Sequence, residues 1–120
     1  MNKVRLGKTN LMVSRVGMGG IPIQRIDNEA AYEVVKCAYD AGINFFDTAK
    51  AYTVSEAYLG YAFRKLSKEY PNFRESIVIA SKSMAASYED MMRDVVDSIE
   101  KMGCGYIDIY QFHNLQPSKE

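Results

Sequence analysis

The sequence lacks a long apolar run, a surplus of either charge, and the cysteines of a disulfide framework. Its 15 basic and 15 acidic side chains balance, and no run of Lys or Arg marks a nucleic-acid-binding surface. No apolar segment approaches the ~18 residues of a membrane-spanning helix, and the first residues do not resemble a signal peptide. The two cysteines, Cys37 and Cys104, form no CxxC motif. We therefore expect a cytoplasmic protein with reduced cysteines, no metal site, and no nucleic-acid or membrane partner.

The residues that are present suffice for one hydrophobic core. Of the 120 residues, 48% are hydrophobic and 25% are charged, and no low-complexity tract indicates disorder. Surface scaling for a chain of this length predicts that about two-thirds of the open-chain surface is buried on folding. We therefore expect residues 1–120 to form a single domain, because two full cores need a longer chain.

Apolar runs of strand length recur about every 30 residues, which is the size of one strand with its crossover helix. The four runs are Val13–Met18, Ile43–Asp47, Ile77–Ser81 and Tyr106–His113. Segments with the apolar spacing of an amphipathic helix lie between these runs. They are Asn28–Asp40, Ser55–Lys68 and the stretch that begins at the capping residue Ser87 and ends at Gly103.

Strands that alternate with helices predict an α/β fold with a parallel sheet and right-handed crossovers. A closed TIM-type barrel of eight such units takes ~250 residues, so this sequence corresponds to about four of them. Before the first unit, Val4–Leu6 and Leu11–Val13 flank Gly7–Asn10 and predict a β-hairpin. We expect a half-barrel preceded by this hairpin, and the two open sheet edges favour self-association.

Ionisable side chains stand at the ends of three predicted strands. Asp47 ends the second strand, Lys82 follows the third, and His113, the only histidine, ends the fourth; Tyr52 comes five residues after Asp47. The carboxyl ends of parallel strands meet at one edge, where such folds place their chemistry, so we expect these four side chains to lie together. Each also has a structural interpretation: a capping carboxylate, a packing phenol, a solvated ammonium and a core imidazole.

The same residues stand in motifs that resemble those of the aldo-keto reductase family, and the resemblance covers essentially all 120 residues. Asp47–Tyr52, with Ser55, Glu56, Leu59 and Gly60 after it, resembles the family signature that follows the second barrel strand. Ile79–Lys82 resembles the segment that bears the family's lysine. Tyr106–His113 resembles the strand that bears its histidine.

Two segments of the sequence are similar to one group of members within the family. Gly17–Pro22 and Tyr52–Glu56 resemble microbial members that carry an iron-sulfur segment near the C-terminus. This sequence has nothing that could ligate such a cluster, so we expect that feature to be missing.

The resemblance implies reversible hydride transfer between a nicotinamide cofactor, usually NADP(H), and an aldehyde or ketone. Tyr52 would be the general acid, and the Lys82 ammonium would lower the pKa of its phenol from the usual ~10. Asp47 would hold Lys82 in place, and His113 would hydrogen-bond the carbonyl oxygen. These four residues would be catalytic, and Tyr52, His113 and Asn114 would bind the substrate.

Gly17, Gly19 and Gly20 form a GxGG motif, which alone is weak evidence for dinucleotide binding. A turn or a close backbone approach explains it equally well. In the family, the loop after the first strand contacts the nicotinamide end of the cofactor. The resemblance therefore implies that Gly20, Ile21 and Asp47 bind the cofactor.

The sequence departs from the family in what it does not include. Family members hold the nicotinamide amide and the adenosine phosphate mainly through residues after the fourth strand. Thr53 stands where many relatives carry glycine. We interpret Glu56 as support for the second helix through its dipole.

Three interpretations of the chain stay open. It is half of a longer reductase with little activity alone, a half that assembles with a second copy or a separate second half, or a non-catalytic module that binds another protein.

Overall fold

Four parallel strands and a short antiparallel hairpin form the two sheets of the chain in a computed structural model, which describes residues 2–113. The hairpin strands are β1 (Lys3–Arg5) and β2 (Met12–Ser14). The parallel sheet consists, in spatial order, of β3 (Met18–Gly19), β4 (Phe45–Asp47), β5 (Val78–Ser83) and β6 (Ile109–Phe112). Within the described residues this sheet is open at β3 and β6, so it is a partial TIM-type barrel.

Helices connect the strands as crossovers. They are α1 (Asn28–Asp40), α2 (Ser55–Glu69), the short α3 (Phe73–Ser76) and α4 (Tyr88–Met102), with single 3-10 turns at Gly7–Thr9 and Pro22–Arg25. The Asp27 and Ser87 side chains cap α1 and α4 by accepting hydrogen bonds from the amides of Ala30 and Asp90. Gly103 ends α4 in the left-handed conformation, with φ of 57°. In the part of the chain that the structure describes, every helix is too short or too polar to cross a membrane.

The core lies between the parallel sheet and the helices. Phe46 of β4 and Ile79 of β5 are neighbours in the sheet and are fully buried, and the ring of Phe46 meets that of Phe63 of α2 edge-on. Successive strand residues point to opposite faces, so Asp47 and Lys82 point away from this core. Buried side chains of the core are Ile23, Ala31, Tyr32, Val35, Phe46, Leu59, Ala62, Phe63, Leu66, Phe73, Ile77, Ile79, Met102 and Cys104.

Asn44 ties the hairpin to the start of β4. Its side chain accepts a hydrogen bond of 2.6 Å from the amide of Ser14 and donates one of 3.0 Å to the carbonyl of Met12. The amide of Asn44 donates to the Ser14 hydroxyl in return. The hairpin is therefore fixed at the end of the sheet opposite to the carboxyl ends of the strands.

Arg74 of α3 organises the approach to β6. Its guanidinium donates to the carbonyls of Cys104, Ile77 and Tyr106 and to the carboxylate of Asp108. The same carboxylate accepts the amide of Ile79 of β5 at 2.8 Å. One largely buried ion pair thus reinforces the main-chain bond from the Asp108 amide to the Ile79 carbonyl just before β6 begins.

The structure confirms the predicted hairpin and the three predicted helices but shortens three predicted strands, of which Ile43–Asp47 begins only at Phe45. Val13–Met18 is divided, because Ser14 pairs with the hairpin and with Asn44, and only Met18–Gly19 joins the parallel sheet. Tyr106–His113 forms a strand only from Ile109, because Arg74 holds the preceding residues. The overall α/β partial barrel is as expected.

Gly60 allows α2 and α4 to touch backbone to backbone. A Cβ at this position would lie 2.0 Å from the carbonyl oxygen of Lys101 and 2.9 Å from the Cα of Met102. Neither contact can be relieved by a side-chain rotation, because both atoms belong to the backbone of α4.

We predict that Gly60→Ala lowers the free energy of unfolding by about 1–3 kcal/mol, as overpacking does. The intrinsic helix preference of Ala over Gly, about 1 kcal/mol, acts against this and is already outweighed by the clash. Urea unfolding measures the change. Gly19→Ala is the control, since none of the described residues comes within 4 Å of a Cβ at that position; equal stability of Gly60→Ala and wild type would contradict the close approach.

Candidate active site

Three strand ends and one loop bring the predicted site residues to the same edge of the sheet. Asp47 is the last residue of β4, Lys82 lies near the end of β5, and His113 directly follows β6. Tyr52 lies in the loop between β4 and α2. The parallel register, which aligns Asp47 with Ala80 and Lys82 with Gln111, sets these ends side by side.

Lys82 lies between the two strand ends. Its Nζ donates a 3.0 Å hydrogen bond to the Oδ1 of Asp47 and a 2.6 Å hydrogen bond to the carbonyl oxygen of Thr48. The Lys82 side chain is 13% exposed, whereas that of Asp47 is 46% exposed. The ammonium is therefore fixed and largely withdrawn from water, while the carboxylate is open to a ligand.

Tyr52 and His113 complete the cluster. The Nζ of Lys82 lies 5.3 Å from the centroid of the Tyr52 ring. The rings of Tyr52 and His113 are 5.7 Å apart between centroids and meet edge-on at 86°. A carboxylate, an ammonium, a phenol and an imidazole thus form a continuous row, as the sequence predicted from their positions at the strand ends.

The loop that carries Tyr52 is held by main-chain bonds on both sides. The amide of Lys50 donates to the carbonyl of Lys82 at 3.0 Å, and the amide of Ser55 donates to the carbonyl of Tyr52 at 2.8 Å. Thr53 adopts a positive φ of 39°, a conformation that favours glycine. This explains why glycine would suit the position, and the Thr53 hydroxyl compensates in part by donating to the Oε1 of Gln24.

His113 is fixed by its backbone. Its amide donates a 2.9 Å hydrogen bond to the carbonyl of Ser83, which continues the β5–β6 pairing one residue past the strand. The Nδ1 of its ring is buried and has no hydrogen-bond partner within residues 2–113.

Comparison with known proteins gives the same assignment as the motifs. A model of the aldo/keto reductase family matches residues 15–120. The chain belongs to the aldo-keto reductase family. Among curated relatives, an L-galactose dehydrogenase of Arabidopsis thaliana is 32% identical over 92% of this chain and 37% of its own length. An NADH-specific methylglyoxal reductase of Escherichia coli is 29% identical over 94% of this chain and 42% of its own length.

Solved structures of aldo-keto reductases share the fold. A putative aldo-keto reductase from Pseudomonas aeruginosa matches 90% of this chain and 44% of its own length, with 32% identity and a TM-score of 0.77. The holo form of a Bacillus halodurans aldo-keto reductase matches 92% of this chain and 39% of its own, with 26% identity and a TM-score of 0.76. The chain therefore spans about two-fifths of the length of these aldo-keto reductases.

The residues expected to bind cofactor in this aldo-keto reductase chain differ in their surroundings. The Gly20 amide donates to the carbonyl of Asp47 at 2.8 Å, and a Cβ on Gly20 would lie 2.4 Å from the Ser55 hydroxyl. Gly20 is therefore required for close packing behind the site. Ile21 is exposed and free to contact a ligand, whereas Asn114 lies outside the described residues.

Behind the site, polar side chains join the strand ends to the helices. The hydroxyls of Thr48 and Ser55 lie 2.6 Å apart, and that of Ser81 donates a 2.6 Å hydrogen bond to the Oε2 of Glu56. The remaining pairs of this polar layer are Ser83 with Asp94, Lys50 with Asp97 and Ser98 with Tyr110. Burial raises the pKa of Tyr110 to about 12, so its hydroxyl keeps its proton.

The sequence interpretation of Glu56, as support for the first turn of α2, did not include its contact with the sheet. Glu56 lies in the first turn of α2, where its charge suits the helix dipole, but its side chain is 2% exposed and reaches the sheet. The spacing Glu56, Leu59, Phe63 and Leu66 puts it on the buried face of α2. A carboxylate on an apolar face was the signal that could have identified it.

Lys50 fastens the Tyr52 loop to α4 through Asp97. Hydrogen bonds from Lys50 and then from Lys101 hold the pKa of Asp97 below its ordinary value. A carboxyl with a lowered pKa stabilises the folded state above its unfolded pKa of ~3.9, and this contribution is lost as the pH falls through the lowered value.

We predict that Lys50→Met lowers the free energy of unfolding at pH 7 by less than about 1 kcal/mol, since Asp97 is half-exposed. The deficit relative to wild type should shrink as the pH falls below about 4, because protonated Asp97 has no charge to lose. Thermal unfolding over a pH series measures it. Lys68→Met, which removes an exposed lysine with no ion pair among residues 2–113, is the control; a deficit independent of pH would contradict the assignment.

Proposed function

We propose that Asp47, Tyr52, Lys82 and His113 form the reacting centre of an NAD(P)H-dependent carbonyl reductase. The observation that supports the proposal is the continuous row from the Asp47 carboxylate through Lys82 and the Tyr52 ring to His113. Aldo-keto reductases generally use NADP(H) to reduce carbonyl compounds. The matched relatives are more than twice as long as this chain, so we expect only a slow rate from this chain by itself.

Each residue has a distinct part in this proposal. Gly20, Ile21 and Asp47 would hold the reacting end of a nicotinamide cofactor, which when bound would supply the hydride for the carbonyl carbon and become oxidised. Tyr52 gives its phenolic proton to the carbonyl oxygen, and the ammonium of Lys82 stabilises the negative charge that develops on the phenol oxygen. Asp47 keeps Lys82 charged and in place. His113 donates a hydrogen bond to the carbonyl oxygen and orients the substrate, and the family resemblance implies a substrate-binding role for Asn114 as well.

The described residues fit the reacting end of such a cofactor better than its phosphates. Asp47 and Ile21 are open at the rim, and the backbone of Gly20 is packed beneath them. The two lysines at this rim, Lys50 and Lys82, are already paired with Asp97 and Asp47. We therefore propose that this chain alone binds NADP(H) weakly. We also propose a cytoplasmic location, which suits its two free cysteines.

The substrate that we propose is a small aldehyde or ketone. Methylglyoxal, which the name of the Escherichia coli relative gives as its substrate, belongs to this class. The adjacent rings of Tyr52 and His113 support this proposal, in which both side chains donate a hydrogen bond to one carbonyl oxygen.

Turnover of methylglyoxal by the full chain at millimolar NADPH tests this function. We expect a slow rate that falls at least 100-fold in Tyr52→Phe, the range for loss of a general acid, and a similar fall in Lys82→Met. NADPH fluorescence should show no saturation at micromolar concentrations.

Two variants serve as matched controls. Tyr106→Phe keeps the ring that stacks on Arg74, and Lys68→Met removes an exposed lysine outside the site. Both should turn over at the wild-type rate. An unchanged rate in Tyr52→Phe would rule out the assigned acid, and tight NADPH binding by a monomer would overturn the weak-binding proposal.

A second proposal concerns the open edge at β6. Phe112 is 65% exposed, and Met92 and Val96 on the outer side of α4 are also exposed. Within residues 2–113, β6 pairs with a strand on one side only, and exposed apolar residues near such an edge favour association. We propose that two copies of the chain associate through it, and that this face would also serve a non-catalytic binding role.

Sedimentation velocity over a concentration series measures this association. We expect a dimer that weakens at least tenfold in Phe112→Lys and stays unchanged in Val34→Lys, which adds the same charge to an exposed valine of α1. A monomer at all concentrations would contradict self-association, whatever the turnover experiment shows.

A further inference from the structure

Burial of the Glu56 carboxyl group costs free energy of folding. The Glu56 side chain is 2% exposed, and its Oε1 is buried without a hydrogen-bond partner in the described part of the chain. Among residues 2–113, the carboxylate accepts one hydrogen bond, from the Ser81 hydroxyl to Oε2 at 2.6 Å. A leucine would fill the same space without desolvating a charge. The stability of the core therefore does not explain a glutamate here.

The bond between Glu56 and Ser81 joins the two segments that carry the reacting groups. Ser81 directly precedes Lys82 on β5, and its side chain points to the helices while that of Lys82 points to the site. Glu56 lies in the first turn of α2, one residue after Ser55. The amide of Ser55 donates to the carbonyl of Tyr52 at 2.8 Å.

The first turn of α2 is also bound to β4. The hydroxyl of Ser55 lies 2.6 Å from that of Thr48, which follows Asp47. Two adjacent residues of α2 thus reach the ends of two adjacent strands. A hydrogen bond has a preferred length and angle, whereas apolar packing tolerates sliding, so these bonds fix the distance between helix and strands.

We propose that Glu56 is a positioning residue, which through Ser81 sets the separation between the Tyr52 phenol and the Lys82 ammonium. The proposal takes its importance from the function proposed above, because proton donation by Tyr52 depends on that separation. The separation itself is measurable without turnover.

NMR of the full chain, with 15N-labelled lysine and 13C-labelled tyrosine, tests the proposal. Because Lys82 is largely buried and bonded twice, we expect its ammonium signal to be visible and to show cross-relaxation with the Tyr52 ring. Glu56→Leu and Ser81→Ala should each reduce that cross-relaxation at least twofold. Glu56→Gln keeps an oxygen that accepts from Ser81 and should restore it.

Thermal unfolding of the same variants separates positioning from a merely structural role. Glu56→Leu replaces a buried, half-partnered carboxyl group by a hydrocarbon and should be at least as stable as wild type, while the distance between Tyr52 and Lys82 becomes less well fixed. Ser98→Ala, which deletes another hydroxyl of the polar layer away from Tyr52 and Lys82, is the control and should keep the cross-relaxation. If Glu56→Leu fails to fold, Ser81→Ala carries the test alone.

Two outcomes would overturn the proposal. Wild-type cross-relaxation in both Glu56→Leu and Ser81→Ala would show that packing alone sets the separation. Loss in Glu56→Gln equal to that in Glu56→Leu would show that an accepted hydrogen bond is not the cause. Neither outcome depends on catalysis, so the proposal can fail while the proposed function stands, and an inactive chain with the expected NMR result would leave the positioning role in place.

Discussion

The ammonium of Lys82 is the group on which the arrangement of the rim depends. It joins the end of β4 to the end of β5 by bonding both the Asp47 carboxylate and the Thr48 carbonyl, and it lies beside the Tyr52 ring. The charge pair is open to water on the side of Asp47, where a ligand can compete for it.

The middle of the sheet and the carboxyl ends of its strands are held by different kinds of interaction. Towards the middle, Phe46 and Ile79 pack against α2 in an apolar core. Towards the carboxyl ends, hydroxyls and carboxylates link β4, β5 and β6 to a helix, through Thr48 with Ser55, Ser83 with Asp94 and Tyr110 with Ser98. The first kind supplies free energy of folding, and the second supplies defined distances. The candidate active site, which requires fixed distances, lies over the hydrogen-bonded polar layer.

Much of this could be predicted from local sequence. Ser87 and Gly103 mark the limits of α4 because capping depends on a few neighbouring residues, and parallel strands bring Asp47, Lys82 and His113 to one edge by topology alone. The division of Val13–Met18 could not be predicted, because the partner of Ser14 is Asn44, 30 positions away. The bond from Ser81 to Glu56 spans 25 positions, so the position of Glu56 on the apolar face of α2 was visible but its partner was not. The catalytic roles of the four site residues stay predictions.

The ion pair between Arg74 and Asp108 also protects against misaligned pairing. Asp108 both donates its amide to the carbonyl of Ile79 and accepts the amide of Ile79 in its carboxylate. A slip of β6 by one position would put Ile107 or Ile109 beside Ile79 and leave the guanidinium facing a hydrocarbon. It would also turn the wrong side chains towards the helices. The alignment of the last strand is thus specified twice, once by hydrophobicity and once by charge, and the imidazole that follows it inherits that alignment.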